Sequence, residues 1–197
     1  YRPKRRTRAT IAREKGLEPL AQQLFDQESI QPKQEALNYI DAEKEVDSAE
    51  DALAGARDIM AEWVSENQQA REQMRTHYET RGTFRSKVIP GKEEEGAKYR
   101  DYFEWLEPVS QAPSHRILAM RRAEKEGMLT WRILPPEEEA IASLESLFIR
   151  AQNEAAGQVK LAIEDCYKRL LSTSIETEIR LNTKKLRIYL EVWFTVL

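Results

Sequence analysis

Two histidines, one cysteine and a cluster of cations near the start are the residues of this chain whose types could do chemistry. A zinc site asks for three or four Cys, His or carboxylate ligands at defined spacing. His77 and His115 lie far apart and Cys166 stands alone, so no metal site is expected. Ser114 directly precedes His115, a pairing too local for a nucleophile and base that must face each other across a fold. Ser114 is read as a helix cap and His115 as an ordinary first-turn residue. Cys166 falls on the apolar stripe Val159, Ala162, Ile163, Cys166, Tyr167 and Leu170, and is read as a buried, inert thiol. The triples Glu93 to Glu95 and Glu137 to Glu139 are read as acidic helix starts facing the positive end of the helix dipole. A magnesium-binding carboxylate pair is the alternative use of such triples. No glycine-rich phosphate loop is present. The side chains therefore assemble no catalytic set: the chain is expected not to be an enzyme and to need no cofactor.

Two features could bind something. Arg2, Lys4, Arg5, Arg6 and Arg8 place five cations within seven residues, and such clusters bind phosphates by releasing counterions. Residues 1–15 carry a net charge of +6 and residues 16–67 a net −10, against −3 for the whole chain. The arm is thus either a nucleic-acid contact or a partner for the acidic block or for domains outside the chain. The second feature is Tyr99, Tyr102, Phe103 and Trp105 beside Arg100. Aromatic side chains near arginine can stack on single-stranded bases, yet at this helical spacing they equally well build a core.

The elements that must position these residues read as helices. Seven glycines in 197 residues, with 41% hydrophobic and 33% charged content, disfavour a many-stranded β architecture. The fold class expected is all-α: a helix-turn-helix-like cluster plus a helical bundle, with at most one short strand pair. Leu17–Phe25 and Lys33–Ile40 read as short helices. Ser48 starts a long one, with Asp51 as its capping partner, and Leu53, Ala56, Met60, Trp63 and Val64 form its apolar stripe. A second stripe through Ala70, Met74, His77 and Tyr78 stops at Gly82, read as a left-handed cap. Thr83–Val88 is a short extended candidate, and Glu93 to Pro108 reads as a helix. Ser114 to Gly127 is another helix, and Leu129, Trp131 and Ile133 alternate as a strand. Pro135-Pro136 opens a helix broken at Gly157, and Thr173-Ser174 restarts the chain. Three regions are expected: residues 1–82, the arm with its helical cluster; 83–180, a helical domain with one short strand; and 181–197, an atypical tail. No apolar run is long enough to span a bilayer, and no apolar stretch follows the first basic residues to make a signal peptide. A lone cysteine fits a cytoplasmic location. A chain that opens on Tyr1 is expected to be a piece of a longer protein.

Particular strings resemble one family. YRPKRRTRATIAREKGLEPL (Tyr1–Leu20), EDALAGARDIMAEWVSE (Glu50–Glu66), RSKVIPGKEEEGAKYRDYFEWLEP (Arg85–Pro108) and PSHRILAMRRAEKEGML (Pro113–Leu129) are similar to segments of Tex-type transcription accessory proteins. VKLAIEDCYKRLLSTSIETEIR (Val159–Arg180) is a weaker match. The resemblance implies a cytoplasmic, nucleic-acid-binding protein linked to transcription, with the transcription machinery as a further partner. This chain corresponds to the helical segment ahead of the family's RNase-H-like domain. On the same resemblance, the OB-fold domain that is the family's clearest RNA binder is expected to lie outside this stretch. From Leu181 onward, LNTKKLRIYLEVWFTVL departs from the family pattern and alternates like a strand.

Overall fold

The computed structural model describes residues 6–182, and they form two compact units. The first comprises the described residues up to Arg71 together with Ile141–Leu171. The second comprises Glu72–Ala140 together with the described residues from Ser172 onward.

The first unit is helical and is organised around one long helix. Short helices α1 (Arg8–Glu14), α2 (Glu18–Phe25) and α3 (Pro32–Ala36) pack against α4 (Ala49–Glu66). The start of α4 is set by Ser48, whose Oγ accepts the Asp51 N–H at 3.1 Å and donates to the Asp51 carboxylate at 2.7 Å. Such a cap satisfies a donor that the first helical turn leaves without a partner. Leu53, Ala56, Met60 and Val64 of the expected stripe are fully buried. Trp63, expected beside them, is only half-buried and meets Phe25 edge-on at 5.4 Å. It lies at the rim of the stripe, not its centre. Helix α5 (Gln68–Arg81) leads the chain into the second unit, and α7 (Glu137–Phe148), which leads it back, carries Glu137, Glu138 and Glu139 in its first turn as expected.

Gly157 does not break a helix. The chain leaves α7 after Phe148, and Asn153 caps α8 (Glu154–Cys166) by accepting the Ala156 N–H at 2.8 Å; Gly157 lies inside α8. Nor does Thr173-Ser174 restart the chain. A π-helical turn, Tyr167–Leu171, runs without interruption into α9, residues 172–182.

In the second unit the structure overturns the all-α expectation with its single short strand pair. The chain remains predominantly helical, but β1 (Thr83–Val88), β2 (Glu104–Pro108) and β3 (Leu129–Leu134) form a three-stranded antiparallel sheet in the order β2-β1-β3. The helix expected from Glu93 to Pro108 is instead a turn, a 3-10 segment (Ala97–Tyr102) and strand β2. Trp105 and Glu107 turn toward the packed side while Glu104, Leu106 and Pro108 face outward, the period-two pattern of a strand. Pro108 is tolerated because β2 is an edge strand.

Helix α6 (Ser114–Lys125) packs on the sheet through β3, and Phe84 meets Trp131 at 5.7 Å between them. Ser114 is the first residue of α6; Pro113 occupies the cap position and no side chain caps it. Gly127, at φ +74°, supplies the left-handed turn after α6, with Met128 N–H bonded to the Ala123 carbonyl at 2.9 Å. Gly82 is not left-handed. A Cβ there would stand 2.2 Å from the Tyr78 carbonyl oxygen, so glycine is required by close backbone approach. Helix α9 covers the outer edge of β3. Glu176 accepts the Ile133 N–H at 2.9 Å, and Arg180 donates to the Trp131 carbonyl at 3.1 Å.

Candidate functional site

Of the five arm cations, Arg2, Lys4 and Arg5 lie outside the described residues. Arg6 forms an ion pair with Glu14. Arg8 is exposed at the first position of α1, whose start is fixed by Thr7 accepting the Thr10 N–H at 3.1 Å. Thr7 Oγ1 also reaches Glu62 at 3.1 Å, and Arg13 binds the same carboxylate at 2.6 Å. Burial pushes the Asp58 carboxyl above its ordinary range, an effect that the charges of Arg169 and Arg8 partly offset. The foot of the arm is therefore anchored on acidic groups of α1 and α4.

The other sequence candidates fall into structural roles. Cys166 is fully buried in α8, and burial pushes its thiol up to about 12, with the Asp165 charge adding to the rise. His115 is exposed in the first turn of α6. Glu93, Glu94 and Glu95 sit in the turn before the 3-10 segment, where Glu95 pairs with Lys92 at 2.5 Å. Tyr99 is buried in a cluster with Ala123, Met128 and Leu129, against which Tyr102 and Phe103 pack. Trp105 stacks on Tyr102 at 4.9 Å and carries the Arg116 guanidinium at 5.0 Å, which Glu107 holds at 2.7 Å. The aromatic group thus serves mainly as core.

Sequence reading missed an arginine-lined cleft of about 500 Å³ bounded by Arg121, Arg132, Thr173, Glu176, Thr177 and Arg180. Two of these arginines reach the buried Trp131 ring, with the Arg180 guanidinium 4.2 Å and the Arg121 guanidinium 6.0 Å from its centroid. The indole N–H donates to Glu124 at 2.9 Å, and the other oxygen of that carboxylate takes Arg180 at 2.5 Å. Glu176, almost fully buried, receives Arg132 through two bonds of 2.8 and 2.9 Å. Carboxylates behind the guanidinium groups fix their orientation before any ligand arrives, and planar arginine forks match phosphate and carboxylate oxygens. The only local signal was the alternation that turns Arg132 outward on β3; Arg121 and Arg180 join it through tertiary packing alone.

The fold defines a class: a predominantly helical protein with one three-stranded antiparallel sheet. The chain belongs to the Tex family, since the family model described as Tex central region-like matches residues 27–186. It is 45% identical over 133 residues to "Protein tex" of Bordetella pertussis, covering 68% of this chain and 17% of that protein. It is 38% identical over 187 residues to "Uncharacterized protein YdcI" of Bacillus subtilis, covering 91% of this chain and 26% of that protein. It is 40% identical over 129 residues to "Transcriptional accessory protein Tex" of Neisseria gonorrhoeae, covering 66% of this chain and 17% of that protein. The chain thus spans between 17% and 26% of the length of these relatives. Among the described residues no helix is long and apolar enough to cross a membrane.

Proposed function

We propose that this chain is a non-catalytic, nucleic-acid-associated module of a cytoplasmic transcription accessory protein, and that its basic arm touches phosphates. The observation that carries the reading is membership in a family with a relative named as a transcriptional accessory protein. The charge of the arm supports it, because Arg2, Lys4, Arg5, Arg6 and Arg8 are of the type and density that displace counterions from nucleic acid. The short helices α1 to α3 before α4 are the elements that a helix-turn-helix-like role, on RNA or DNA, would use. A non-catalytic role accords with a sole thiol that is buried and held protonated.

The test is fluorescence anisotropy with single- and double-stranded oligonucleotides across a salt titration. Replacing all five arm cations with alanine should flatten the salt slope on duplex DNA by up to roughly four units, at about 0.9 per phosphate, and leave helical content unchanged. The second reading is a scaffold that positions neighbouring domains or contacts the transcription machinery. The pairing of Arg6 with Glu14, and of Thr7 and Arg13 with Glu62, favours it. No binding at about 50 mM salt, with a lowered melting temperature in the arm variant, would decide for the scaffold.

A further inference from the structure

The sheet of the second unit has two unlike faces. Inward-turned Phe84, Ser86, Leu129, Trp131 and Ile133 are buried, while Arg85, Lys87, Thr130, Arg132 and Leu134 turn outward and are exposed. Register places Arg85 of the central strand directly opposite Arg132 on one side and Leu106 on the other. Lys87, two residues along, stands between Glu104 and Thr130. Like charges directly opposite each other across a strand pair cost stability. Arg132 is relieved by Glu176, but Arg85 and Lys87 form no ion pair among the described residues. Among the described residues the central strand thus sets Arg85 against the like charge of Arg132 and carries a second cation, Lys87, opposite Glu104. Arg132 also lines the cleft with Arg121, Thr173, Glu176, Thr177, Arg180 and Leu181, so the outward row and the cleft share this arginine. Beside it, Leu106 is 68% exposed.

We propose that this face is a track for the phosphate backbone of a single-stranded nucleic acid. Arg85, Lys87 and Arg132 contact the phosphates, and the path continues into the cleft. Side chains two residues apart on one strand face are about 7 Å apart, a step close to that between successive phosphates of an extended chain. Exposed Leu106 gives the unstacked bases an apolar surface, which favours a single strand over a duplex whose bases are already stacked. The proposal rests on the nucleic-acid reading above and deepens it by naming a second contact surface, in a different unit from the arm.

The experiment uses the full chain, a labelled oligouridylate, the matching DNA strand and a DNA duplex. Arg85→Ala/Lys87→Ala should reduce the single-strand salt slope by about 1.4, at 0.7 per phosphate, which corresponds to roughly 25-fold weaker binding at 0.1 M salt. Its thermal melt should change little, because removing Arg85 relieves the repulsion from Arg132 while removing Lys87 gives up the attraction of Glu104 opposite it. Leu106→Ser should weaken single-strand binding several-fold without changing the slope. Parent-like binding by the Arg85/Lys87 variant, with loss in the arm variant, would sink the track while leaving the nucleic-acid reading intact. Absence of binding by the parent chain would sink both. Competition by polyglutamate as effective, charge for charge, as that by the oligonucleotide would overturn it in favour of an acidic protein partner.

Discussion

At the scale of single residues, Cys166 shows what burial does to an ionisable group. The Cys166 thiol is raised to about 12 in the fold, whereas an unfolded chain ionises its cysteine near 8.5. Between those values the unfolded state has lost a proton that the native state retains, so stability falls as pH rises. A urea series from pH 8 upward should show a decline approaching about 1.4 kcal/mol per pH unit in that window. Cys166→Ala should flatten it; an equal decline in that variant would assign the effect elsewhere. Native Cys166 should also resist alkylation until the chain unfolds. Glu176 is almost fully buried and bonded to Arg132 and to the Ile133 N–H. Glu176→Ala should cost about 1–3 kcal/mol, chiefly from the stranded N–H, since Arg132 is largely exposed and its charge is screened. Chemical denaturation measures it. Cys166 was legible because the stripe that buries it is local in sequence. Glu176 was not, because its partners lie more than forty residues away.

At the scale of elements, helices with a cap and a stripe could be read, and so could β1 and β3, but β2 could not. Ser48, Asp51 and the Leu53–Val64 stripe announce α4 without ambiguity. β2 is five residues long, and its outward Leu106 beside inward Trp105 hides the alternation; Tyr99, Tyr102 and Phe103 just before it add a helical spacing. What makes Glu104–Pro108 a strand is the hydrogen-bonding edge of β1, a partner that local sequence does not display. Two glycines whose roles differ from the sequence expectation make opposite predictions. Gly157 lies inside α8 with open space where a Cβ would stand, so Gly157→Ala should stabilise by about 0.5–1 kcal/mol through helix propensity. Gly82→Ala should instead destabilise by roughly 1–3 kcal/mol, because its methyl group meets the Tyr78 backbone. Melting temperatures of the two variants, moving in opposite directions, check both.

At the scale of the whole molecule, packing joins segments far apart in the chain. α4 packs against α8 across about a hundred residues, and β3 is finished by α9. Composition could indicate a helix-rich protein, but not which distant segments meet, because each apolar stripe is satisfied by any partner of suitable shape. The charge asymmetry was legible in the sequence: the basic arm is followed by an acidic block, and the structure shows Arg6, Thr7 and Arg13 engaging acidic side chains. The covering of β3 by α9 carries a consequence for synthesis. The three strands have all left the ribosome once Leu134 has emerged, but Glu176 and Arg180 follow some forty residues later. During that interval the nascent sheet presents the β3 rim to any neighbouring polypeptide, the arrangement that invites strand-to-strand association. Chains released before residue 172 should therefore scatter light at concentrations where the 197-residue chain stays clear, and supplying residues 172–182 as a separate peptide should suppress the scattering.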